Sequence, residues 1–112
     1  MAGFTTDEFR ERWCGMTLVE QMGNIGSEVD RIALWKKKGN EDYAMKALHR
    51  SLELLDLTIS DSRWKSRLKE ITRVRECLCD LYIGENIYGF SPEYFSKYFL
   101  WFALAARGQA GK

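Results

Sequence analysis

The stretch from Gly23 to Ser27, Gly-Asn-Ile-Gly-Ser, has the glycine content of a loop that cradles phosphate. A P-loop, however, requires Gly-x4-Gly-Lys-Ser/Thr, and a dinucleotide-binding turn requires Gly-x-Gly-x-x-Gly after a strand. Neither spacing is present, and the residues before Met22 lack the alternation of a strand. Gly23 and Gly26 instead share one face of an apolar helical pattern. We therefore predict a close helix crossing there, with a helix break or a ligand site as the alternatives.

Residues that commonly bind metals or attack substrates are few and scattered. Cys77 and Cys79 are two positions apart in a predicted helix, where side chains point about 200° apart and cannot readily share one metal. With Cys14 they make an odd number of cysteines, which argues against a disulfide framework and favours a reducing compartment. His49 is the only histidine, and no catalytic set can be assigned around it. We expect no cofactor and no resident metal.

Two acidic pairs offer the one route to metal chemistry. Glu8-x-x-Glu11 and Glu53-x-x-Asp56 place carboxylates on one helix face, as a magnesium-dependent nucleotide hydrolase of helical fold would require. Acids at this spacing are common on solvated helix surfaces. A magnesium-dependent hydrolase is therefore the second alternative for function.

A basic cluster in the predicted third helix offers a different chemistry. Within thirteen residues there are six cations and only one acid, Glu70. Such a cluster could contact phosphates, or it could be a solvated face with salt bridges. Nucleic-acid binding is therefore the first alternative function. The candidate patch comprises Arg63, Lys65, Arg67, Lys69 and Arg73.

A line of polar residues beside the two glycines is the candidate groove. It contains Asn24, Ser27, Glu28 and Arg31, to which we add Arg75. Arg75 is in register with apolar positions of its predicted helix, and a buried arginine requires a charged partner. We predict that Arg75 pairs with a carboxylate on another helix, with Glu28 as the candidate partner.

Helices must position all these residues, because the chain of 112 residues contains one proline and few turn signals. Apolar positions repeat at helical spacing from Leu18 to Ile32, and residues 1–112 are expected to form one helical domain. We predict an all-α fold, a four-helix bundle running up-down-up-down. Its first helix is long, with a possible break near Gly15 or Gly23. The predicted helices are 7–38, 41–60, 62–83 and 92–107.

The fourth predicted helix is too aromatic to bury only one face. Six of the nine residues from 94 to 102 are aromatic, so a second apolar face remains for a partner. A symmetric dimer is the first expectation, because it is the commonest oligomer. The candidate interface comprises Tyr94, Tyr98, Trp101 and Leu104.

The overall charge is too small to indicate a partner, since the formal net charge is +1. The longest apolar run, from Tyr98 to Ala106, is too short to span a bilayer, so no membrane association is expected. We therefore expect a cytoplasmic, self-associating interaction module without catalytic activity.

Overall fold

A computed structural model describes residues 6–110, and every regular element in that range is helical. The first five and last two residues of the predicted domain 1–112 lie outside the described range. The helices are α1 (Asp7–Cys14), α2 (Leu18–Lys37), α3 (Glu41–Ile59), a 3-10 helix (Ser62–Arg67), α4 (Leu68–Tyr82) and α5 (Pro92–Ala110).

The predicted first helix, 7–38, is two helices, so a continuous helix there is wrong. The alternative of a break near Gly15 is confirmed, while the chain remains helical through Gly23. A capping box starts the second helix. The backbone N–H of Glu20 donates to Thr17 Oγ1 at 3.3 Å, and Thr17 N–H donates to Glu20 Oε1 at 2.8 Å. Because both end groups are satisfied, α2 begins anew at this point.

The predicted third helix, 62–83, also has a different start, because residues 62–67 form a 3-10 helix. Asp61 accepts a hydrogen bond from the backbone N–H of Arg63 at 3.0 Å and caps this segment. Trp64 leaves helical geometry, with φ −104° and ψ 24°, and its Nε1 donates to Gln21 Oε1 at 2.9 Å. The tertiary hydrogen bond holds the kink before α4 begins.

The remaining boundaries follow local capping chemistry. Asn40 caps α3 by accepting from Tyr43 N–H, and Ser91 caps α5 by accepting from Tyr94 N–H. Gly39 follows α2 with a φ of +76°, a conformation that suits glycine. Helix α5 extends to Ala110, three residues beyond the predicted end at 107.

Helix α2 is central, because it packs against both α3 and α5, while α3 packs against α4. A Cβ atom added to Gly26 would lie 2.9 Å from Phe99 Cγ and closer still to Phe99 Cβ. One added to Gly23 would lie 3.4 Å from Ala103 Cα. The predicted close helix crossing is therefore confirmed, and its partner is α5.

Hydrogen bonds between buried polar groups attach α1 to the neighbouring helices. Trp13 is 2% exposed, and its Nε1 donates to Thr58 Oγ1 at 3.1 Å. Gln21 is fully buried, donates to the carbonyl of Trp13 at 2.7 Å and accepts from Trp64. The amide of Gln21 thus joins α1, α2 and the 3-10 helix.

The hydroxyl of Tyr82 is buried without a hydrogen-bond partner among residues 6–110. Burial is the main cause that raises the pKa of Tyr82 to about 12. Because an unsatisfied buried hydroxyl carries a desolvation penalty, we expect Tyr82→Phe to raise the free energy of unfolding by about 1 kcal/mol at neutral pH. Urea denaturation would measure this change.

Alkaline pH provides a second readout of the same substitution. The pKa of Tyr82 is higher in the folded protein than in the unfolded chain, so ionisation of this tyrosine favours unfolding. The free energy of unfolding is therefore unaffected below about pH 10 and falls as pH rises through about 12. The Tyr82→Phe protein should lack this part of the loss. Tyr98→Phe is the matched control, because the Tyr98 hydroxyl donates to Glu70 Oε2 at 2.5 Å and its removal should lower stability at neutral pH. Equal effects of the two changes at neutral pH would contradict the prediction.

Candidate functional site

The predicted polar groove is present only in part. Glu28 is 6% exposed and forms an ion pair with Arg31, whose Nη1 lies 2.7 Å from Glu28 Oε2. This pair borders a shallow groove between α2 and α3. The other groove residues are Trp35, Tyr43, Lys46, Ala47 and Arg50. The carboxylate of Glu28 is therefore neutralised within its own helix.

The other polar residues of that prediction make separate contacts. Asn24 Nδ2 donates to the carbonyl of Glu20 at 2.8 Å, and Ser27 Oγ donates to the carbonyl of Gly23 at 3.5 Å. Both side chains therefore donate to backbone carbonyls of their own helix.

The predicted pairing of Arg75 with a carboxylate on another helix is confirmed, but the partner is Asp56 of α3 and not Glu28. Its Nε lies 2.6 Å from Asp56 Oδ1, and its Nη2 lies 3.2 Å from Oδ2. This hydrogen-bonded carboxylate raises the pKa of Arg75. Helix α3 supplies the carboxylate because it packs against α4.

The same contact engages one member of the acidic pair Glu53-x-x-Asp56. Both carboxylate oxygens of Asp56 accept hydrogen bonds from Arg75. Glu8 and Glu11 are both exposed on α1. Within residues 6–110, the structure brings no three histidine, cysteine or acidic side chains together in a metal-binding arrangement.

Two members of the basic patch are already paired with acids. Arg63 Nη2 lies 2.7 Å from Asp61 Oδ2 and also donates to the carbonyl of Met16 at 3.1 Å. The hydrogen bond from Arg63 is the main cause that lowers the pKa of Asp61. Arg67 lies 3.0 Å from Glu70. These two arginines already have acidic partners and therefore offer little net charge to a ligand.

The other three cations of the patch line one shallow depression on the surface of α4 and the 3-10 helix. They are Lys65, Lys69 and Arg73. In the part of the chain that the structure describes, no carboxylate lies within salt-bridge distance of any of them, and all three are exposed. The guanidinium of Arg73 lies over the ring of Tyr88, 4.8 Å from its centroid.

The predicted oligomer interface divides into two groups. Tyr94 and Tyr98 line a narrow slot between α4 and α5, and Tyr98 is half-buried. Trp101 and Leu104 face outward and are 61% and 54% exposed. Leu100, which is 55% exposed, lies beside them and was missed by the sequence interpretation. The outward group is therefore centred on Leu100 and not on the tyrosines.

A regular stripe of exposed residues runs along this outward face of α5. Its spacing is 4-3-4-3, and all five members are exposed, which defines the outer α5 stripe as Glu93, Lys97, Leu100, Leu104 and Arg107. The same spacing is visible in the sequence, but the many aromatic residues nearby conceal it. Along the helix, its members are in order an acid, a base, two leucines and a base, so that Glu93 and Arg107 are its two ends.

These surfaces and the groove beside Glu28 are accessible for recognition. No helix within the described range is both long and apolar enough to cross a membrane. In comparisons with protein-family models, curated proteins and solved structures, no match to this chain was found.

Proposed function

We propose that this protein is a non-catalytic interaction module that self-associates through the outer α5 stripe. The observation that carries the proposal is the exposed pair Leu100 and Leu104, with Trp101 at its edge. The proposal includes the predicted arrangement in which α2 to α5 run up-down-up-down. Gly23 lies against Ala103 and Gly26 against Phe99, so the contacts run in opposite order along α2 and α5, which supports an antiparallel pair.

The size of the apolar patch suits the centre of an interface. A tryptophan and two leucines, each more than half exposed, present on the order of 350 Å² of apolar surface. Patches of this size on monomers often mark binding sites. A stable interface buries about 800 Å² on each partner, so the charged residues around the leucines must also take part.

The charges at the ends of the stripe favour a second copy of the chain as the partner. Glu93 and Arg107 are each seven residues from Leu100 and therefore about 10 Å from it along the helix. If a twofold axis passes at Leu100, two antiparallel copies of α5 place Glu93 of each copy opposite Arg107 of the other. A parallel pair would place like charges together. The stripe thus favours an antiparallel dimer of twofold symmetry.

The free cysteines support a reducing location for this assembly. Cys14, Cys77 and Cys79 are all unbridged, and Cys14 is exposed. Exposed thiols persist best in a reducing compartment. We therefore propose the cytoplasm as the location.

Charge reversal tests the dimer. We expect Glu93→Arg or Arg107→Glu alone to weaken dimerisation at least tenfold, because each places like charges opposite one another. The double substitution should restore dimerisation, since it exchanges the charges without changing the pairing. Analytical ultracentrifugation over a concentration series would measure the dissociation constants.

A matched control and a variant at the centre of the proposed interface complete this test. Glu85→Arg changes the same charge in an exposed loop and should leave the dissociation constant unchanged. Leu100→Glu should give monomers whose circular dichroism matches that of the unsubstituted chain. A wild-type protein that remains monomeric at the highest attainable concentration would refute the proposal. So would a double variant that is no better than either single one.

A further inference from the structure

We propose that the face formed by α4 and the start of α5 binds single-stranded nucleic acid. The basic–aromatic surface is defined as Lys65, Lys69, Arg73, Tyr88 and Tyr94. Arg73 belongs to both halves of it, because Arg73 lines the depression that contains the lysines and also the slot that contains Tyr94. Cations and rings are therefore contiguous.

The charges of this surface match a phosphate backbone. Lys65, Lys69 and Arg73 form no ion pair within residues 6–110, and they span roughly 13 Å, the length of about four stacked nucleotides. Two acids share the depression. Glu70 is bound to Arg67 and Tyr98, and the exposed Glu76 is outnumbered by the three cations. The depression remains net positive.

The rings of this surface are held in place before any ligand arrives. Tyr88 and Tyr94 are 47% and 48% exposed, so each offers ring surface for stacking. Asp80 accepts hydrogen bonds from the backbone N–H of Ile87 at 2.8 Å and of Tyr88 at 3.0 Å, which fixes the loop. Arg73 covers part of the Tyr88 ring. Such fixed rings beside cations are what unstacked bases require.

Single-stranded nucleic acid satisfies both halves of the surface. An acidic peptide would neutralise the cations, but only its aromatic side chains could stack on Tyr88 and Tyr94, whereas every nucleotide of a single strand carries both a phosphate and a base. An anionic membrane would meet the cations but not the narrow slot between α4 and α5. Only a strand with exposed bases supplies phosphates and stacking faces along one line.

Fluorescence anisotropy with labelled, mixed-sequence single-stranded DNA of about 12 nucleotides tests the proposal. Because three phosphate contacts each contribute about 0.7 for single strands, the slope of log Kobs against log salt should be about −2. A triple variant with glutamine at Lys65, Lys69 and Arg73 should bind at least tenfold more weakly and lose most of this slope. Tyr88→Leu should weaken binding about tenfold and leave the slope unchanged.

Two control variants test whether binding depends on this surface and not on overall charge or on dimerisation. Glutamine at Lys37, Lys38 and Lys46 removes the same charge elsewhere and should not change binding. Leu100→Glu should also retain binding, since it alters only the outer α5 stripe. Equal binding of duplex DNA, equal competition by polyglutamate or anionic vesicles, or full binding by the Lys65/Lys69/Arg73 variant would overturn the proposal.

Discussion

Replacement of Gly26 by leucine is expected to lower the free energy of unfolding by about 3 kcal/mol, because α2 and α5 leave no room for a side chain. Even a single Cβ atom would lie 2.9 Å from Phe99 Cγ. Phe99 is 2% exposed and packed within the core, so it cannot move aside without disturbing its neighbours. Denaturation in urea, followed by circular dichroism, would measure the loss.

Gly23→Ala is the matched control for this prediction. The nearest atom to its added Cβ is Ala103 Cα at 3.4 Å, an ordinary contact that requires little adjustment. Alanine also favours the helix by about 1 kcal/mol relative to glycine. We expect the Gly23→Ala protein to be as stable as the parent or slightly more so. A Gly26→Leu protein of undiminished stability would show that the two helices are not in close contact at this point.

The sequence predicts this crossing because the information is local. Gly23 and Gly26 are three residues apart inside an apolar stripe, and no glycine-specific turn is needed to explain them. Helix caps are local in the same way. Thr17 and Glu20 have the spacing of a capping box, so the start of α2 could have been predicted from the sequence.

The partner of a charged side chain cannot be predicted in this way. Arg75 binds Asp56 because α3 lies beside α4, and residues nineteen positions apart meet only after the helices pack. The 3-10 segment has the same origin. Trp64 leaves helical geometry while it donates to Gln21, which is forty-three residues away. Contacts of this range depend on the packing of the whole chain.

The candidate sites, like the fold, could be predicted from the sequence only in part. The sequence identifies the cations of the third predicted helix, but not which of them are already bound. Arg63 and Arg67 have acidic partners within three residues, whereas Lys65, Lys69 and Arg73 do not. The charge available to a ligand is therefore smaller than the sequence suggests, and it lies beside rings from another part of the chain. The structure thus shows which of the cations lack acidic partners and which rings lie beside them.

Replacement of Trp13 by alanine is expected to cost about 3–5 kcal/mol, which is typical for the removal of a large buried ring. Trp13 is the buried residue of α1, and its ring packs within the main core. A helix of eight residues is not stable by itself, so its attachment depends on this side chain and on Gln21. Urea denaturation would give the total loss, and hydrogen exchange would show whether α1 separates first.

Trp13→Phe separates the contribution of the ring from that of its hydrogen bond. Phenylalanine retains most of the apolar contact but cannot donate to Thr58 Oγ1. Thr58 would still donate to the carbonyl of Leu54 at 3.1 Å, so no buried donor would be left unpaired. We therefore expect a loss of only about 1 kcal/mol. Equal losses for alanine and phenylalanine would mean that the hydrogen bond, and not the buried ring, holds α1 to the bundle.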